Sequence, residues 1–239
     1  MLDFITTPIT TLKAAHAIAG SLGSPSKMPG KSYGLPAARA DWVPGICKLM
    51  GLPVPSSYGC PIGAKLADVP GTTCSACYAT RANYRYSSVQ KAQAKRASGL
   101  FNPQWIEVMV YLINHKVDSA VPYFRWHDSG DILGLWHLEN IAMVAQMTPT
   151  VHHWIPTREA KTVQAFLEKY GDFPPNLTVR VSATKVDSAP PTVYGITSTV
   201  HKDMPAFGNT CPAPTQKNAC GDCRACWSRT VPNVSYHIH

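Results

Sequence analysis

The sequence is poor in charge. Asp, Glu, Lys and Arg make up 15% of its 239 residues, against the ~25% usual in soluble domains. Acids are the scarcer sign, with 14 against 22 bases. No apolar run approaches the roughly 18 residues of a membrane-spanning helix. The opening MLDFITTPITTLKAAHAIAG has no apolar core behind a basic start, as a secretory leader would. There is no internal repeat at fixed period and no low-complexity tract, which excludes solenoids and arrays. These absences lead us to expect a cytoplasmic protein without a membrane partner. The chain is 45% hydrophobic, enough for one this long to bury a full core without staples. That excludes disorder and, despite eight cysteines, the small disulfide scaffolds.

What fills the space left by charge is proline and glycine, 21 and 16 residues, so long loops are expected. We read residues 1–239 as a single α/β domain: a loop-rich stretch over 1–80, βα units over 81–200, and a cysteine-rich C-terminal extension over 201–239. Within the loop-rich stretch a short helix is expected at 11–19, closed by Gly20. From there to Tyr78, eight prolines from Pro25 to Pro70 are expected to break any regular element. So long a structureless loop is unusual in a compact domain, and a metal centre is one way to hold it.

The pattern is regular after Tyr78. Helices are expected at 87–98, at 103–116 with Asn102 as cap, at 135–147, and at 159–170 with Val163, Phe166, Leu167 and Tyr170 inward. Strands are expected at 121–126, 151–156, 177–183 and 192–200. Alternation of this kind argues for parallel βα units. About four units are too few for a closed eight-fold barrel, so the expected fold is a partial or irregular (β/α) barrel-like sheet. His152 and His153 point to opposite faces of their strand, so at most one reaches the core.

The charge is uneven as well as sparse. The first 120 residues carry 12 Lys and Arg against 5 Asp and Glu. Between Asp68 and Glu107 there is no acid, only Arg81, Arg85, Lys91, Lys95 and Arg96. A one-sided basic field attracts anions, so the 81–96 segment is either a nucleic-acid contact or a solvated helix face.

The cysteines form two groups. Cys220, Cys223 and Cys226 are spaced C-x2-C-x2-C, with Cys211-Pro212 nine positions upstream. Such a run wraps one compact centre, as in bacterial ferredoxins. Zinc sites usually separate two C-x2-C knuckles by a longer spacer, so the run favours a [4Fe-4S] cluster over zinc. In a cytosolic chain disulfides come third. The second group is Cys60, Cys74 and Cys77, three thiols that leave a fourth metal position open to a substrate or cofactor. Cys47 reads as a small buried hydrophobe.

A further cluster, His127-Asp128-Ser129-Gly130-Asp131, follows the strand at 121–126. Ligands of parallel α/β folds bind at such carboxyl ends. Asp128 and Asp131 are therefore candidate catalytic carboxylates, although either would also serve to cap the next helix. Arg158 ends the next strand, and Ser182, Thr184 and Lys185 the one after.

With these residues in view the chain resembles the gene product 88 family of tailed bacteriophages. The resemblance rests on Cys60-Pro61 leading to Cys74-Ser-Ala-Cys77-Tyr78-Ala79, on Arg125-Trp-His127-Asp128-Ser129-Gly130-Asp131, and on Cys211-Pro212 followed by Cys220-Gly-Asp-Cys223-Arg-Ala-Cys226-Trp227. More distantly, the layout is similar to radical-SAM proteins, with C-x13-C-x2-C in place of their C-x3-C-x2-C. That resemblance implies a [4Fe-4S] cluster on Cys60, Cys74 and Cys77, and S-adenosylmethionine held at Ser129, Gly130 and Asp131; Arg158, at the next strand end, is a further candidate for binding it. The resemblance also implies a second cluster on Cys211, Cys220, Cys223 and Cys226, and an external electron donor. The alternatives are a zinc-stabilised nucleic-acid-binding protein and a protein whose cluster is purely structural.

Overall fold

The computed structural model describes residues 8–238. Seven strands form one sheet: β1 (Lys31–Tyr33), β2 (Tyr123–Trp126), β3 (His152–Thr157), β4 (Leu177–Val186), β5 (Thr197–His201), β6 (Asn209–Thr210) and β7 (Asn233–His237). Their order is β1-β2-β3-β4-β5-β7-β6. Every pairing is parallel. The outer strands β1 and β6 do not meet, so the sheet stays open, a mixed α/β fold of partial-barrel type as expected.

Seven helices accompany it: α1 (Leu12–Ala19), α2 (Val43–Leu49), α3 (Pro61–Leu66), α4 (Ser87–Gly99), α5 (Trp105–Lys116), α6 (Leu135–Met147) and α7 (Ala160–Tyr170). The expected helix at 11–19 is present, with the Thr11 side chain accepting from Ala14 N at 3.1 Å. The stretch from Gly20 to Tyr78 is not structureless, contrary to expectation. It contains β1, α2 and α3. The prolines mislead there because Pro44 and Pro61 open α2 and α3 rather than break them. At a helix start the missing N–H costs nothing and the fixed φ helps.

The other differences are of similar kind. Tyr170, expected inward, is 51% exposed, because α7 ends there. The strand expected at 192–200 forms only from Thr197. The C-terminal extension supplies β6 and β7, and β7 inserts between β5 and β6 instead of trailing from the fold.

Parallel sheets need cover on both faces. One face presents Phe124, Trp126, Ile155, Val179 and Val181 to the helices, joining Val108, Leu112, Leu138, Ile141 and Val163 in one core cluster. The other face carries Tyr123, Arg125, Trp154, Thr178 and Arg180, and among the described residues it is covered by a short 3-10 turn, Ala225–Trp227, in place of an α-helix. Trp227, from the cysteine-rich segment, packs there on Tyr123 and Trp154 at 5.3 and 5.1 Å. Its indole donates to Phe124 O at 3.0 Å, and Thr178 Oγ1 donates to its carbonyl at 2.7 Å.

Of the histidine pair, His152 is exposed and His153 fully buried. Trp126 Nε1 donates to His153 Nδ1 at 3.2 Å, and His153 Nε2 lies 2.8 Å from Thr148 Oγ1. Thr148 gives its own proton to Val144 O, so the imidazole is neutral with its proton on Nε2. Burial lowers the pKa of His153, and likewise of His137, from 6.5 to about 3. A folded-state pKa below the unfolded one contributes stability at high pH that is lost as pH falls. We therefore expect unfolding free energy, measured by urea denaturation, to drop between pH 6.5 and about 3. His153→Gln should make that slope shallower.

Candidate functional site

The turn after β2 is locked to its neighbours. Asp131 is 4% exposed. Its Oδ1 accepts from Ile132 N at 2.8 Å and Thr157 Oγ1 at 2.6 Å, and its Oδ2 accepts from Arg158 N at 3.0 Å. Burial pushes its pKa up, and these bonds hold it back. Asp131 thus ties the end of β2 to the end of β3. Ser129 ties the same turn to the end of β1: its hydroxyl donates to Leu35 O at 2.8 Å and accepts from Gln93 Nε2 at 2.8 Å. Gly130 has φ 82°, and a Cβ there would lie 2.6 Å from Leu35 Cβ. Asp128 accepts from Ser32 Oγ at 2.8 Å, and its carbonyl accepts from the Tyr78 hydroxyl. Neither carboxylate caps α6, whose N-cap is Gly134.

Over these strand ends lies the loop carrying the first cysteine group. Thr72 pairs with Lys185 in an antiparallel bridge, and Thr73 N donates to Thr184 O at 3.0 Å, which moors the loop on β4. The Thr72 hydroxyl faces the carbonyls of Leu66 and Val69 and accepts from Ser75 N. The Arg158 guanidinium donates to Thr73 Oγ1, while its Nε is buried without a hydrogen-bond partner. On the other side Cys60 N donates to Ala38 O at 2.9 Å, and Ile62 N donates to Glu159 Oε1 at 2.7 Å.

These anchors bring Cys60 and Cys74 near one another, and Cys77 N donates to Cys74 O at 3.2 Å. A Cβ at Gly63 would stand 2.7 Å from Cys60 Cβ, and 3.5 and 3.7 Å from the sulfurs of Cys60 and Cys74. The two sulfurs therefore flank a notch that only glycine leaves open. Burial raises the pKa of the Cys60 thiol; Asp131, Cys77 and Cys74 raise it further. Beside the group, a cavity of about 280 Å³ opens at the ends of β3 and β4, lined in part by Arg158, Ser182, Thr184 and Ser188.

The second group lies on the side of the sheet without α-helices. Cys211 N donates to Ser235 O on β7 and Cys220 N to Lys27 O, each at 2.9 Å. Cys226 Sγ is 3.1 Å from the Tyr236 hydroxyl. Its pKa is pushed up to about 11, chiefly by burial, against the pull of that hydroxyl and of Arg180. Sequence reasoning missed Arg180. It is 0% exposed, and all its N–H groups go to carbonyls: Ala225 and Ser228 at 2.7 Å, Cys226 and Val231 at 3.0 Å, and Thr197 at 3.1 Å. The available signal was a charge inside LTVRVSA, a strand expected to be covered on both faces.

Cys47 is fully buried, as expected, among Ala40, Val43 and Ala94. All eight cysteines are free thiols. Among the described residues, no three His, Cys, Asp or Glu side chains stand close enough to grip one metal ion. Of the basic segment, Arg81, Arg85 and Lys91 are exposed. Arg96 instead donates to Ser21 O and Gly34 O and lies over the Tyr33 ring. No helix among the described residues is long and apolar enough to cross a membrane.

Fold and site together define an open, all-parallel α/β protein with one free-thiol group over its strand ends and another on the face without α-helices. The family model for gene product 88 matches residues 9–229, and the chain belongs to that family. No curated protein and no solved structure matches it. The lock at Asp131 is directly testable. Asp131→Asn keeps the shape but turns an N–H toward a donor, so it should lower stability by about 1–3 kcal/mol, read by chemical denaturation.

Proposed function

We propose that this chain is a bacteriophage-type iron–sulfur protein that holds at least one [4Fe-4S] cluster and works by one-electron chemistry. The observation that carries the reading is the spacing of seven free thiols along the chain, four in the C-terminal segment and three in the loop over the strand ends. The four would be Cys211, Cys220, Cys223 and Cys226, a full ligand set. The three would be Cys60, Cys74 and Cys77, which leave one position open. The donor set is of the right chemical kind for such a group, thiols in a four and a three, while among the described residues no three of these side chains converge on one point. The notch at Gly63 leaves room between two of the sulfurs.

When bound, the cluster supplies one-electron reduction. The chain supplies orientation and burial. Asp131 and Ser129 hold the strand-end turns in place, and Thr72 and Glu159 hold the two arms of the cysteine loop. S-adenosylmethionine is the ligand we assign to the open position. The cavity beside it, with the free Nε of Arg158, would take the ligand's carboxylate, and Asp128 stands across the turn. An external protein would donate the electron.

The test is metal analysis of anaerobically purified protein. We expect about four irons and about four sulfides per cluster, with a visible absorption that dithionite bleaches. Colourless protein with stoichiometric zinc would overturn the reading. It would favour a zinc-stabilised protein contacting nucleic acid through the exposed Arg81, Arg85 and Lys91, checked by salt-resistant retention on DNA. Loaded protein given dithionite and S-adenosylmethionine should release 5′-deoxyadenosine; no product would leave the cluster structural or electron-carrying.

A further inference from the structure

The two cysteine groups have opposite electrostatic surroundings. Three guanidinium groups lie near the C-terminal cysteines, Arg125 and Arg224 acting on Cys220 and Arg180 and Arg125 on Cys226. Arg180 holds the carbonyls of Ala225, Cys226 and Ser228. Arg224 donates to the carbonyls of Gly221 and Cys223 at 2.6 and 2.9 Å and lies 4.9 Å over the Tyr123 ring. Arg125 lies 4.6 Å over Trp154, which packs on Trp227; its Nε is buried without a partner.

None of the three is paired with a carboxylate. The ion pairs among the described residues are Arg39–Asp68, Lys169–Glu139, Lys202–Asp203 and Arg229–Asp172. Asp128 faces Arg125 from beyond ion-pair range, and Asp222, within the cysteine run, is exposed. The other group faces one buried carboxyl, Asp131, and one arginine, Arg158.

A buried guanidinium is costly without a counter-charge. Apart from Asp128 beside Arg125, the negative charge a loaded centre would bring within reach is that of its thiolates. Further negative charge there would be stabilised by all three arginines, whereas at the first group Asp131 offsets Arg158.

We propose that Arg125, Arg180 and Arg224 make the C-terminal centre the first of the two to accept an electron. This rests on the iron–sulfur reading above. The balance is simple: an external one-electron donor, dithionite in the test, is oxidised, and the C-terminal cluster goes from [4Fe-4S]2+ to [4Fe-4S]1+. No bond breaks and no proton is needed. The arginines thus make the C-terminal centre an electron store and leave the strand-end centre the stronger reductant.

The test is a potentiometric titration of the full-length loaded protein, followed by electron paramagnetic resonance. Cys223→Ala and Cys74→Ala assign the signals to the two centres. We expect the C-terminal signal at the higher potential. Arg125→Gln should move it to lower potential and leave the other signal in place, and Arg125→Lys should restore it. Arg125 is the variant of choice because its hydrogen bonding amounts to a 3.9 Å contact with Met28 Sδ, whereas Arg180 holds five carbonyls. Reduction of the strand-end centre first, or a C-terminal potential unmoved in Arg125→Gln, overturns this inference alone. Protein that binds no iron overturns the cluster reading beneath it as well.

Discussion

The architecture turns on one buried side chain, Arg180. Helices cover one face of the parallel sheet, and irregular chain covers the other. Loops buried in this way bring carbonyls that no ladder satisfies, and each such carbonyl needs a donor. Arg180 meets that need from the middle of β4. Its five bonds reach four carbonyls between Ala225 and Val231 and one at Thr197. The segment that carries Cys226 is therefore fastened to the sheet through its backbone. Its side chains, apart from the anchoring Trp227, remain available for chemistry. A guanidinium suits this task because its donors form a rigid planar fork.

A comparable economy holds the proline-rich N-terminal loops. They are moored at a few polar points: Thr73 on Thr184, Ile62 on Glu159, Cys60 on Ala38, and Leu35 on Ser129. Three of these four bonds end at residues on or just after β2, β3 and β4. The carboxyl ends of the central strands are thus both the floor of the site and the frame that shapes the loop above it. Glu159 illustrates the cost. Burial pushes its pKa up to about 7, yet it is retained where it accepts the first free N–H of α3.

Much of this is legible in the residues. Most of the regular region, from Ser87 to Val186, follows from the alternation of helical and strand patterns between clear stop signals. Helix α6 stands where the pattern predicts, with Leu138, Ile141, Ala142 and Ala145 buried. The burial of Cys47 and the single buried histidine of the pair are legible too. The N-terminal region is not, because proline reads the same whether it breaks a helix or begins one. Strand β7 escapes notice because its partners lie far away in sequence and nothing local marks it. For Asp131 the sequence offers position and chemical type, while its bonds to Thr157 and Arg158 depend on two strand ends meeting in space.

The surroundings of the cysteines separate the two groups more sharply than their spacing does. Burial raises the pKa of Cys60, Cys74, Cys211, Cys220 and Cys226, so in the metal-free chain these sulfurs are neutral thiols. Beside the C-terminal group Arg180 spends its donors on backbone carbonyls, and Arg125 has Asp128 within electrostatic reach. On the cluster reading, metal binding would release the thiol protons and set thiolate charge beside these arginines, whereas at the strand ends it would set that charge beside Asp131 as well as Arg158.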